Sequence, residues 1–148
     1  MTVVAWDGHS LAADKMSDFG GLHATVTKIR RLRGGRVAAG CGPAALIGEL
    51  CAWLDAGADP ATFPAAQRSE KDCCVVLAVT PDRVALLYEH APYPTVIESR
   101  QWAIGSGRDF AMMAMRLGKT AAESVVLTAE LCNTCGNGVD VAVPGTFS

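Results

Sequence analysis

Thr2-Val3-Val4-Ala5-Trp6-Asp7-Gly8-His9-Ser10-Leu11-Ala12-Ala13-Asp14 sets the fold class. Thr2 to Trp6 is β-branched and apolar, Asp7-Gly8 is a two-residue hairpin signal, and Leu11 to Asp14 reads as the returning strand. A second hairpin follows: Lys28 to Leu32 alternates charged and aliphatic residues, Gly34-Gly35 turns the chain, and Arg36 to Gly40 returns. Between the two, Met16 to Val26 reads as a loop punctuated by Gly20-Gly21.

The pattern then changes period. Pro43 opens a helix, where its missing N–H costs nothing, and Leu46, Ile47, Leu50, Trp53 and Leu54 recur on one helical face until Gly57. Ala58 to Lys71 is polar and interrupted by Pro, enough for short turns only. Cys73 to Val79 and Arg83 to Glu89 form a third hairpin around Thr80-Pro81-Asp82, and Thr95 to Ile97 and Trp102 to Ile104 are short strands. After Gly105-Ser106-Gly107 comes a helix with Phe110, Met113, Ala114 and Leu117 as its apolar stripe, ended by Gly118. Thr120 and Glu123 form a capping box for the next helix, which carries Val125, Val126, Ala129 and Leu131. Val139 to Val143 is a last strand. Runs of strands separated from runs of helices predict a single α+β domain over residues 1–148, with mainly antiparallel sheets and helices packed outside.

Composition narrows the function classes. The 148 residues are 50% hydrophobic and 19% charged, with a net charge of −2, which argues against a basic nucleic-acid binder. Lys28, Arg30, Arg31, Arg33 and Arg36 do cluster, but alternation splits them between faces, and Trp6 and Phe19 make no stacking platform. The longest uncharged stretch, Val37 to Gly48, falls short of the roughly twenty apolar residues of a membrane helix. The N-terminal residues lack a signal-peptide pattern, so a compact cytoplasmic domain is expected. Cys41, Cys51, Cys73 and Cys74 sit among apolar neighbours and read as buried free thiols. Cys132-Asn133-Thr134-Cys135 is a CxxC; with no second pair and with His9, His23 and His90 scattered, reduced thiols are favoured over zinc. No cofactor is implied.

Thr2 directly follows Met1, and removal of the methionine exposes one residue bearing both a hydroxyl nucleophile and a free α-amine. An α-amine, with a reference pKa near 7.7–8.0, can act as the base that activates the hydroxyl. Asp14 ends the second strand and Lys28 begins the third, so both reach the first strand if the hairpins share a sheet. A Lys28 ammonium there would disfavour a second positive charge on the amine and attract an alkoxide, while Asp14 keeps the lysine charged. Gly40, ending the fourth strand, offers a main-chain N–H as an oxyanion donor. Taken singly, Asp14 reads equally as a loop cap, Lys28 as a solvated face and Gly40 as a turn.

Together, Thr2-Val3-Val4-Ala5-Trp6, Leu11-Ala12-Ala13-Asp14, Thr27-Lys28-Ile29-Arg30-Arg31-Leu32, Val37-Ala38-Ala39-Gly40 and Ala103-Ile104-Gly105-Ser106-Gly107 resemble, in order, the signature blocks of HslV and the proteasome β subunits. These are N-terminal nucleophile hydrolases. The resemblance runs from Thr2 to about Leu131 and fits a short, divergent bacterial or prophage member. It implies an αββα sandwich, and it implies Thr2 as nucleophile with Asp14 and Lys28 as charge partners. Gly40 falls at the oxyanion glycine, Ser106 at a serine bonding near the terminal amine, and Asp140 at a further aspartate beside that amine. It also implies hydrolysis of peptide or unfolded-protein substrates, a homo-oligomeric ring and an ATPase unfoldase partner. The chain departs from the pattern where Ala58 to Lys71 is too short for a second helix, so one helical layer is trimmed. A catalytically inactive, ring-forming relative and an amidase for small amides are the alternatives.

Overall fold

The computed structural model describes residues 2–145. Strands β1 (Val3–Trp6) and β2 (Leu11–Asp14) pair antiparallel, as the opening stretch predicts. Their connection spans Asp7 to Ser10 rather than two residues. The Asp7 carboxylate takes the N–H groups of His9 and Ser10, each at 2.8 Å, and so closes a wider turn. Where a loop was expected, Met16–Phe19 (β3) and Leu22–Thr25 (β4) make a separate two-stranded hairpin. Gly20 and Gly21, at φ +63° and +95°, supply the two left-handed positions of its turn. That hairpin escapes periodicity analysis because most of its side chains meet solvent on both faces.

The remaining strands are β5 (Arg30–Leu32), β6 (Arg36–Cys41), β7 (Val75–Val79), β8 (Ala85–Tyr88), β9 (Thr95–Ile97), β10 (Trp102–Gly105) and β11 (Val139–Ala142). They build a four-stranded sheet, β10-β1-β2-β11, and a five-stranded sheet, β5-β6-β7-β8-β9, antiparallel throughout. The two predicted hairpins therefore lie in different sheets, which corrects the expectation that they share one. What joins them is packing: Val4, Trp6, Leu11 and Ala13 of the first sheet meet Val37, Ala39, Leu77 and Val79 of the second.

Each sheet has its other face under helix. Helix α1 (Ala44–Asp55) follows Pro43 and lays Leu50, Cys51, Trp53 and Leu54 on Ala38, Val76 and Ala78. Period-2 alternation thus sends Val37 and Ala39 inward between the sheets and Ala38 outward to the helix. Each fully buried aliphatic side chain of this kind contributes about 2 kcal/mol. After α1 only single turns form, Pro60–Thr62 and Ala65–Arg68. Buried Gln67 ties them down, donating from Nε2 to the carbonyls of Cys74 (2.6 Å) and Glu89 (2.7 Å).

Helices α2 (Arg108–Arg116) and α3 (Ala121–Leu131) cover the four-stranded sheet, with Ala111, Met115, Ala121 and Val125 against Val3, Ala5, Ala12 and Ala103. The expected capping box is present. Of the expected α2 stripe only Ala114 is buried, together with Ala111 and Met115, while Phe110, Met113 and Leu117 are exposed. In α3 likewise, Ser124 and Thr128 turn inward, their hydroxyls bonded to the Ala121 and Ser124 carbonyls, and Val126 and Leu131 face out. No helix among the described residues is long and apolar enough to cross a membrane.

Candidate active site

The site forms where the two sheets meet. Thr2 enters β1, whose Val3 stands opposite Gly105 of β10, and Asp14 ends β2. The Asp14 side chain is fully buried. Its Oδ1 accepts from the Val3 N–H (3.1 Å) and from Lys28 Nζ (2.8 Å), and its Oδ2 from the N–H groups of Met16 (3.3 Å) and Gly136 (3.1 Å). Four donors, one of them an ammonium, offset the cost of burying this carboxylate.

Lys28 comes from the connection between β4 and β5, so it approaches from the side of the opposite sheet. Its side chain is only 10% exposed, and Nζ also donates to Thr2 Oγ1 at 3.1 Å. The Thr2 carbonyl is held too, by the Gly107 N–H at 3.3 Å and the Ser106 hydroxyl at 3.4 Å. Gly105 turns the chain into that clamp at φ +98°, and a Cβ there would run into the Thr2 carbonyl.

Gly40 lies across a cleft of about 210 Å³ whose walls include Thr2, Lys28, Arg30, Ala44 and Ile47. A Cβ on Gly40 would stand 2.9 Å from the Val75 carbonyl oxygen and 3.1 Å from Ile47 Cγ2, so only glycine fits. A second, larger cleft of about 620 Å³ opens on the other side of Thr2, between Cys41, Leu87, Trp102 and Arg108. Burial pushes the Cys41 thiol up, away from the thiolate form. A hydroxyl flanked by two grooves and backed by an ammonium is arranged for attack on an extended, acyl-bearing chain.

Of the sequence-predicted residues, Thr2, Asp14, Lys28, Gly40 and Ser106 converge, with Ser106 on the Thr2 carbonyl. Asp140 does not join them: β11 sets it opposite Ala13, and its Oδ2 pairs with Lys15 Nζ at 2.9 Å. Lys15 also donates to Thr27 Oγ1 at 3.2 Å, so this pair braces the strand end beside the site. Met1, whose removal the sequence reading requires, lies outside the described residues. Gly136 was missed, because a backbone donor leaves no side-chain signature; its only trace is the turn Gly136-Asn137-Gly138. Among the described residues no cluster of three or more His, Cys, Asp or Glu is placed to hold a metal ion.

No protein-family model matches the chain, and no curated protein matches it. Solved structures do. The chain is similar to Thiobacillus denitrificans BPH in complex with epoxomicin, with a TM-score of 0.71 and 21% identity over 99% of this chain and 100% of that one. A second structure of Thiobacillus denitrificans BPH gives a TM-score of 0.68 at 21% identity, with the same coverage. Eukaryotic HslV from Trypanosoma brucei gives 0.65 at 20% identity, over 96% of this chain and 97% of that one. The resemblance read from the sequence blocks therefore holds as a likeness of fold to HslV-type structures along nearly all of the chain.

Proposed function

We propose that this chain is a threonine-type peptidase of the N-terminal nucleophile class, with Thr2 as nucleophile once Met1 is removed. One observation carries the reading: the Lys28 ammonium is held between Thr2 Oγ1 at 3.1 Å and the buried Asp14 carboxylate at 2.8 Å. A structural lysine needs only the carboxylate. The second contact aims the charge at a hydroxyl at the mouth of two clefts.

In this reading the Thr2 α-amine takes the hydroxyl proton, directly or through water, and Oγ1 attacks the scissile carbonyl. The resulting oxyanion is held by the Gly40 N–H, and the ammonium returns its proton to the leaving amine as the C–N bond breaks. Water, deprotonated by the same amine, then cleaves the ester between Thr2 and the acyl group. Lys28 contributes throughout by attraction for negative charge on Oγ1 and by repulsion of a second cation on the amine. Asp14 offsets the cost of burying that ammonium by pairing with it at 2.8 Å. Ser106 acts as a positioning residue through its bond to the Thr2 carbonyl.

The fold assignment that goes with this function is the αββα sandwich with one helical layer trimmed, supported by apolar layers on both faces of each sheet. A homo-oligomeric ring acting on peptides or unfolded protein in the cytoplasm, fed by an ATPase unfoldase, completes the proposal. Thr2→Ala tests it. Peptide hydrolysis should disappear while the unfolding midpoint stays within the wild-type range, and the mature wild-type mass should lack one methionine residue. Hydrolysis that survives Thr2→Ala rejects the assignment; a retained Met1 leaves the inactive, ring-forming relative. Epoxomicin, bound in the BPH structure, is a second probe: it should modify or protect wild type and leave Thr2→Ala untouched.

A further inference from the structure

Helix α3 runs into Cys132-Asn133-Thr134-Cys135, which the hydrolytic machinery does not use. The Cys132 N–H closes the helix on the Thr128 carbonyl at 2.8 Å, and the Cys135 N–H bonds back to the Cys132 carbonyl at 3.2 Å. That turn stacks the two thiols on one side of the chain, with their sulfurs 3.6 Å apart. A disulfide holds its sulfurs at about 2.05 Å, so closure needs a movement of roughly 1.5 Å and no rearrangement of the fold.

The two thiols differ in the way a redox pair requires. Cys132 is partly exposed, and the Thr134 hydroxyl 3.0 Å from its sulfur holds its pKa below the usual thiol value. Cys135 is 4% exposed, and burial pushes it up to about 11. An accessible thiol of lowered pKa backed by a buried partner is the arrangement of an attacking and a resolving cysteine. Cys51 and Cys74, by contrast, are pushed up by burial to about 11 and about 12 inside the α1 core.

The turn also touches the candidate site twice. Cys135 Sγ lies 4.0 Å from Ser106 Oγ, and the next residue, Gly136, gives its N–H to Asp14 Oδ2 at 3.1 Å. We propose that Cys132 and Cys135 form a thiol–disulfide switch, oxidised by a low-molecular-weight disulfide, whose closure draws Gly136 off Asp14 and slows turnover at Thr2. The effect on turnover rests on the peptidase reading; the cysteine chemistry and the loosened Gly136 N–H do not.

The exchange balances in two steps. The Cys132 thiol loses its proton to solvent, and the resulting thiolate attacks one sulfur of the small disulfide, forming a mixed disulfide and expelling one thiolate, which takes a proton from water. Cys135 then loses its proton to solvent, and its thiolate attacks Cys132 Sγ, closing the Cys132–Cys135 bond and expelling the second small thiol. The protein gives up two electrons and two protons, and the small disulfide is reduced to two thiols.

Glutathione disulfide on the full chain is the test. Alkylation after exposure should count two of the six thiols lost, with peptide mapping joining Cys132 to Cys135 and dithiothreitol restoring both. Amide hydrogen exchange at Gly136 should rise on oxidation. The specificity constant for peptide hydrolysis should fall about tenfold, the kinetic weight of one ordinary hydrogen bond. Cys132→Ser should keep the basal rate and lose both responses. Glutathione left unresolved on Cys132, a bridge between other cysteines, or unchanged Gly136 exchange in the bridged protein would each overturn the switch. Unchanged hydrolysis with raised Gly136 exchange would overturn its regulatory half. A chain with no peptidase activity still answers through thiol count and exchange.

Discussion

Lys28 Nζ donates to Thr2 Oγ1 at 3.1 Å although the two residues lead into different sheets, Thr2 into β1 and Lys28 into β5. The nucleophile and its cation are thus held together by the apolar packing of Val4 and Trp6 on Val37 and Leu77, not by strand pairing. Lys28→Met keeps the side-chain length and removes the charge. Loss of one preorganised electrostatic group costs about 10²–10³ in kcat. Peptide turnover by Lys28→Met should fall by that factor while the two-sheet core stays folded by circular dichroism.

Asp14 is predicted to matter more for stability than Lys28 does. Asp14→Ala removes the carboxylate that pairs with the Lys28 ammonium and leaves the N–H groups of Val3, Met16 and Gly136 without their acceptor. Breaking a buried pair from one side costs about 3–5 kcal/mol. Lys28→Met leaves Asp14 with its backbone donors and should cost less. Urea unfolding of the two single variants and the double variant checks this: the double should be more stable than the sum of the singles requires, because both singles break the same ion pair.

Gly40→Ala separates space from backbone strain. Its Cβ would meet the Val75 carbonyl oxygen and Val76 Cγ2 at 2.9 Å each, in a strand that cannot shift without moving β7. Overpacking of this kind costs about 1–3 kcal/mol. Gly57→Ala, with nothing within 4 Å but φ at +116°, carries only the conformational penalty. Both should destabilise in urea, yet only Gly40→Ala should also lower peptide turnover, since only it narrows the cleft beside Thr2.

The Asp7 carboxyl is raised by partial burial but lowered further by the N–H groups of Ala121, Ser10 and His9, and its net shift is downward. A group ionising more easily in the folded chain stabilises it above the unfolded value, near 3.9, and that stability is lost as pH falls through the lower folded value. Asp7→Asn keeps an acceptor and removes the charge, so it should cost about 0.5 kcal/mol at neutral pH, the usual weight of a carboxylate near a helix N-terminus, since Asp7 holds the Ala121 N–H at the start of α3. The cost should shrink below about pH 4, so wild-type and variant midpoints converge in acid.

How much was legible follows from which forces act locally. Thr2, Asp14, Lys28 and Gly40 stood out as candidates because they lie in or beside strongly patterned strands, whereas Ser106 entered through the resemblance alone. The seam that joins them was not legible, since a pairing between sheets leaves no periodic trace in either hairpin. The β3–β4 hairpin hid because it stands out in solvent, with even Phe19 and Leu22 exposed, so no buried face imposes alternation on its sequence. The α2 stripe was misread for the opposite reason: Phe110, Met113 and Leu117 share one helical face, but small Ala111 and Ala114 let the helix approach the sheet on another. A count of apolar residues favours the large ones; close packing against an Ala-rich strand favours the small.

That rotated face carries the last prediction. Phe110 is 46%, Met113 63% and Leu117 76% exposed, and Val126 and Leu131 of α3 are exposed as well. Large apolar groups gathered on one outer face commonly mark a contact surface. If the proposed ring forms, the α2–α3 face is where its subunits should touch. Met113→Lys and Leu117→Lys replace side chains that support nothing inside the subunit, so the unfolding midpoint measured at low concentration should stay within about 0.5 kcal/mol of wild type. Light scattering should then show a smaller particle than wild type at the same protein concentration, because a lysine in an apolar contact loses its hydration without gaining a partner. An assembly of unchanged mass for both variants would move the subunit contact to another face of the domain.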